Sequence, residues 1–136
     1  MEVRQGPSPA QRWIGIEVRS LGGGEAVLEL CTRPEMQNSA EMVHGGFIAL
    51  LADSAMGSAM GSVLPEGVRH PSFDLKVNFI APGRIGERLR AVAKVIHSGR
   101  RTGMAECRLL GEDGRLVATA TATFAVLPPT SDQNEA

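Results

Sequence analysis

The stretch from Gly45 to Ser62 restricts the fold more than any other part of the chain. It is rich in Ala, Leu and Met, and its one formally charged side chain is Asp53. A helix that is apolar almost all round has to be buried, and the chain offers mainly strands to bury it. From Arg69 to Ile80, Phe73, Leu75, Val77 and Phe79 alternate with Asp74, Lys76 and Asn78, the period of a half-buried strand. Pro82-Gly83 ends that run. Leu89, Ala91, Ala93 and Val95 alternate between Glu87 and His97, as do Ala105, Cys107 and Leu109 further on. Glu112-Asp113-Gly114 then turns the chain into Arg115 to Leu127, with Leu116, Ala118, Ala120, Ala122, Phe124 and Val126 on one face. Upstream, Ile14 to Ser20 and Glu25 to Thr32 flank a Leu-Gly-Gly-Gly turn. The expected order is strand, strand, helix and four strands, an α+β fold with the sheet wrapped about the helix.

A chain of 136 residues has room for one domain, expected over 13–127, with residues 1–12 a tail or short helix and 128–136 a disordered tail. Neither end is expected to carry function. A formal net charge of -1 provides no global field for nucleic acid or an acidic membrane. Four glycines, three serines and Asp53 between Gly45 and Leu64 make a poor lipid-facing segment. Two cysteines are too few for a zinc cluster, and His70 and His97 have no second ligand at metal spacing, so no metal is expected. The N-terminus lacks a basic region followed by an apolar run, which points to the cytoplasm.

Asp53 is the first candidate for chemistry. A lone carboxylate in an apolar helix costs several kcal/mol unless partners or water compensate. The plainer alternative is an aspartate that bonds a neighbouring loop or faces water through a gap. His44-Gly45-Gly46 stands where the helix begins, where unshielded amides and the positive helix end favour an oxygen gaining negative charge. Gly45 and Asp53 are eight residues apart, about 12 Å along a helix. They act on one carbon only if the Gly45 amide of one subunit meets Asp53 of another. Gly46, Ala49, Met56, Gly57 and Met60 fall around Asp53 on a helical wheel, with Phe47 opposite; Gly46, Met56, Met60 and Phe47 are candidate substrate contacts. Asn38 and Ser39 precede the helix, where a carboxamide can orient a ligand carbonyl or simply cap a turn. Ser72 could reach Asp53 only if a bulge turns it away from strict alternation. Arg100 and Arg101 form a basic turn suited to phosphates or merely to solvent.

The string Asn38-x5-His44-Gly45-Gly46-x6-Asp53, followed by Ser72 to Phe79 and the strand from Gly114 to Ala118, resembles the hotdog-fold acyl-CoA thioesterases of the PaaI type. The resemblance runs from about Trp13 to Leu127. It implies a curved antiparallel sheet around one long helix, dimers with two shared active sites, and homotetramers built from two dimers. It makes Asp53 the catalytic carboxylate and Gly45 the amide donor to the thioester carbonyl. Asn38 and His44 resemble a polar pair on the Gly45 side, and Ser72 a hydroxyl assisting from the aspartate's side. Asp53 would be a general base on water or a nucleophile giving a mixed anhydride. Arg100 and Arg101 are the candidate contacts to the phosphates of coenzyme A, which is part of the substrate; no separate cofactor is expected. Alternatives are a non-catalytic acyl-CoA sensor and a hotdog-fold dehydratase or hydratase. The helical aspartate argues against both.

Overall fold

The computed structural model describes residues 7–129; residues 1–6 and 130–136, which include most of the two expected tails, lie outside the described residues. The order is α1 (Pro9–Ile14), β1 (Glu17–Gly22), β2 (Glu25–Cys31), a 3-10 turn (Pro34–Met36), α2 (Gly45–Gly61), β3 (Ser72–Phe79), β4 (Arg88–Ser98), β5 (Thr102–Leu110) and β6 (Leu116–Ala125). All strand pairs are antiparallel, in one six-stranded sheet ordered β1-β2-β4-β5-β6-β3. α2 touches every strand.

Local chemistry sets most boundaries. Gly23 and Gly24, at φ 63° and 84°, supply the left-handed backbone that reverses β1 into β2. Gly114 does the same between β5 and β6 at φ 91°. The sheet faces α2 with small side chains: Ala26, Ala91, Ala93, Ala105, Ala118, Ala120 and Ala122 are all 3% exposed or less. An alanine-rich surface lets the helix lie close, and Leu51, Ala55, Met56 and Ala59 fill the contact.

Four expectations are corrected. Ile14 closes α1 and is not the start of a strand. Ser8 caps this helix, with Gln11 returning the bond to the Ser8 amide in a capping box. β3 does not neighbour β4 but lies at the far edge beside β6. Its apolar residues, expected to be half-buried, are largely open in the single chain: Phe79 is 58% and Leu75 40% exposed. An edge strand has a neighbour on one side only, and in one chain nothing closes over this one. Finally, α2 is not buried all round. Gly46, Ala49, Leu50, Asp53, Gly57 and Ser58 form a stripe that the sheet leaves uncovered.

Candidate active site

The expected site residues fall into two groups. The first surrounds the start of α2. His44 is its N-cap, and its Nδ1 accepts from the Gly46 amide at 2.8 Å. Gly46 therefore has its N–H engaged. The Gly45 amide, at the first helical position, has no acceptor among the described residues. A Cβ on residue 45 would stand 3.0 Å from the Phe79 ring, so glycine is what lets β3 lie against the helix start.

Asn38 Oδ1 accepts from the amides of Ala40 and Met42 at 2.9 and 3.1 Å. That is the turn role, and it fixes the carboxamide so that its NH2 is the uncommitted end. Asn38, Gly45, Phe79 and Gly83 line a cavity of about 310 Å³. Its far wall is held by Glu87, which accepts from the amides of Arg84 and Glu112 and from Arg115; Arg115 also donates to the Pro82 carbonyl. Burial pushes the Glu87 carboxyl up, but the Arg115 hydrogen bond and the two amide donors outweigh it and hold it below the usual carboxylate range.

The second group lies two turns along α2. Asp53 lines a separate cavity of about 580 Å³ with Leu50, Gly57, Ser72 and His70. Its Oδ1 is buried without a hydrogen-bond partner among the described residues. Such an atom is costly, by about 1–3 kcal/mol, and marks a place where the fold yields stability. Ser72 reaches this wall where β3 slips register between Ser72 and Asp74, a bulge that breaks strict alternation. Ser72 consequently pairs with Phe124 and shares its side of the sheet. His70 ties the strand entry to the helix through Nε2, 2.9 Å from the Gly57 carbonyl.

Other expectations fare differently. Met56 and Met60 are wholly buried and line neither cavity. The wheel puts Met60 near Asp53 in angle, but two turns on, its side chain occupies the space left by Gly103, where a Cβ would come within 2.5 Å of it. Phe47 is half-buried against the core, with His44 edge-on at 6.3 Å, and lines neither cavity. Arg100 and Arg101 sit exposed on the turn from β4 to β5, without hydrogen-bonded or ionic side-chain partners among the described residues. The Arg101 carbonyl accepts from Val126, which puts this turn at the Ser72 end of the sheet.

Three residues around these cavities escape the sequence reading. Phe79 reads as core, although a glycine at the helix entry hints at something packed there. His70 has no metal partner and so attracts no role. Gln11 belongs to a presumed tail, yet Ser8-Pro9-Ala10-Gln11 carries the signature of a capped helix start. Among the described residues there is no cluster of three metal-ligating side chains, and no helix is long and apolar enough to cross a membrane.

A six-stranded antiparallel sheet wrapped around one long helix is the hotdog architecture. The profile of the thioesterase superfamily matches residues 40–118, and the chain belongs to that family. It is 30% identical over 105 residues to the acyl-coenzyme A thioesterase PaaI of Escherichia coli, covering 77% of this chain and 73% of that protein. It is 30% identical over 133 residues to the medium/long-chain acyl-CoA thioesterase YigI of Salmonella typhimurium, covering 87% and 85%. Among solved structures, the conserved protein PA5202 of Pseudomonas aeruginosa superposes with a TM-score of 0.86 at 31% identity, covering 93% of this chain and all of that one. The PaaI protein of E. coli superposes with a TM-score of 0.84 at 27% identity, covering 90% and 87%. The protein is a PaaI-type thioesterase.

Proposed function

We propose that this enzyme hydrolyses the thioester of an acyl- or aryl-acyl-CoA to the free acid and coenzyme A, at two sites shared across a two-fold homodimer. One observation carries the reading. The donor group and the carboxylate group occupy different cavities of one chain, at the start and the middle of α2 and at opposite ends of β3. A single two-fold operation would join them. Pairing Gly45 with Asp53 of a second copy puts the axis beside Ala49, midway between positions 45 and 53, on the uncovered small-residue stripe. Pairing the open edge of β3 with itself, Ser72 opposite Phe79 with Phe73 taken up in the bulge, puts the axis at Lys76. Both registers bring the Gly45–Phe79 end of one chain to the Asp53–Ser72 end of the other. The same pairing would cover the apolar side chains that β3 leaves open.

In that arrangement the free Gly45 amide donates to the thioester oxygen as it gains charge, with the Asn38 NH2 beside it. Asp53 takes a proton from water as the water oxygen bonds to the acyl carbon; the C–S bond then breaks, and the departing sulfur of coenzyme A takes that proton from Asp53, leaving as the thiol. In the nucleophilic variant the Asp53 oxygen bonds to the acyl carbon first, the C–S bond breaks with loss of the coenzyme A thiolate, and water cleaves the anhydride to the free acid and Asp53. His44 acts on the amide side by holding the first turn of α2 in place. Arg100 and Arg101, without ionic partners and beside the Ser72 end of the sheet, suit the nucleotide phosphates. The two-fold pair is the unit the chemistry needs, and a tetramer would be two such pairs.

Thiol release across a panel of acyl-CoAs, run beside Asp53→Ala, tests this. The variant is expected to lose at least about two orders of magnitude in turnover. A variant as active as the parent, or an active species that is monomeric in solution, overturns the proposal.

A further inference from the structure

The Asp53 cavity has one wall for which the proposed hydrolysis has no use. α1 contributes Ser8, Ala10 and Gln11 to it, opposite groups supplied by α2 and the entry to β3. A helix of six residues does not persist by its own hydrogen bonds, yet this one is fixed at both ends. The capping box commits the Gln11 Oε1 to the Ser8 amide at 3.0 Å, and Gly15, left-handed at φ 96°, returns its amide to the Gln11 carbonyl. Ile14 is sunk in the core at 3% exposure, and Arg33 donates to its carbonyl at 2.8 Å. A segment secured in this way holds a surface in place. The Gln11 NH2 is left without a partner among the described residues, and Ala10 is small and exposed.

Building on the thioesterase reading, we propose that α1 is the end wall of the acyl pocket, and that Ala10 and Gln11 set the size of the acyl group the enzyme accepts. A cavity of about 580 Å³ is within the range of small-molecule sites, so a fixed wall imposes an upper limit on size. Specificity of this kind responds steeply to volume: one methylene in an apolar pocket changes kcat/KM by about 10- to 200-fold.

The test is a graded filling of the wall with Ala10→Leu and Ala10→Phe, positions whose exposure leaves the core untouched. Trp13→Ala, 81% exposed and outside the cavity lining, serves as the control. Thiol release is measured from acetyl- to dodecanoyl-CoA and with phenylacetyl-CoA, and thermal shift with hydrolysis-inert thioether analogues of the same series. The expected result is a kcat/KM for the largest accepted acyl groups that falls at least about tenfold relative to that for acetyl-CoA, more for Phe than Leu. The analogues should lose their stabilising shift in the same size order, with the parent profile retained in Trp13→Ala. An unchanged size profile in both Ala10 variants overturns the proposal while leaving the thioesterase reading intact. A parent that binds the analogues but hydrolyses no thioester overturns that reading instead, and the wall is then judged by the thermal shifts. A parent that binds none of them overturns both.

Discussion

If each active site takes its amide from one chain and its carboxylate from another, two dead variants should make a live enzyme. The first is Asp53→Asn. The second is Gly45→Pro, which the local backbone accepts unusually well. Proline suits the first position of a helix, and the residue before it must be extended, as His44 already is at φ -59°, ψ 134°. The deleted N–H has no acceptor within the chain, so no internal hydrogen bond is lost. A Cβ at position 45 would stand 3.0 Å from the Phe79 ring, so the Phe79 side chain has to give by a few tenths of an ångström. Each variant alone should fall by about 10²-fold or more, the cost of removing an acid-base group or an oxyanion donor. In a 1:1 mixture, half of the dimers are mixed. In a mixed dimer one site has both groups intact and the other has neither. One of the two sites in each mixed dimer is restored, so the unsorted mixture should reach about one quarter of parent activity and the isolated mixed dimer about one half. The assay is thiol release from a responsive acyl-CoA after co-expression with two affinity tags, with the mixed dimer isolated and confirmed by intact mass. A verified mixed dimer no more active than its dead parents would refute the shared site, whatever Asp53 does.

Ala49→Arg should place two cations at the two-fold axis, convert the protein to a folded monomer on size-exclusion chromatography with light scattering, and abolish turnover; a fully active dimer would put the axis elsewhere. His44→Ala removes the side-chain cap on the Gly46 amide, and is expected to cost about 1 kcal/mol, a fall of about 4 °C in Tm for a domain of this size, measured by calorimetry. Glu87 has a folded pKa below its unfolded value, so its contribution to stability is complete above the unfolded value of about 4.5 and is lost as pH falls through the lower folded one. Urea midpoints measured from pH 7 down to pH 3 should therefore drop more steeply for the parent than for Glu87→Gln, and parallel curves would remove Glu87 from the acid response.

How much of this was legible in the residues depended on whether a signal was local. The bounds of α2 follow from the apolar run and its His44-Gly45-Gly46 entry, and the faces of β4, β5 and β6 follow from alternation, because each reports only a residue's immediate neighbours. Alternation tells which face of a strand is apolar; it does not tell which strand lies beside it. β3 was therefore read correctly as a strand with an apolar side and wrongly as one already covered. The same gap hid Phe79, whose packing over Gly45 joins positions 34 residues apart, and misplaced Met60, whose destination is set by the space at Gly103. Ser72 shows the opposite case: the chemistry demanded a bulge that the pattern alone could not supply, and the register of β3 against β6 contains it.

The misreading of β3 and the proposed dimer have one physical origin. Judged within a single chain, β3 carries apolar side chains with nothing over them, α2 presents a stripe of small residues to solvent, and Asp53 holds a buried oxygen without a partner. Each is a local cost, and all three lie on α2 and β3, the elements that hold the two parts of the proposed site. A second copy related by the axis at Ala49 would cover the first two with the same contact. It would also bring to the third the donor group that one helix, about 12 Å between its two working ends, keeps out of reach. Under this reading folding and catalysis set the same requirement, and a variant that weakens the pair should lose stability and turnover in parallel as the protein is diluted.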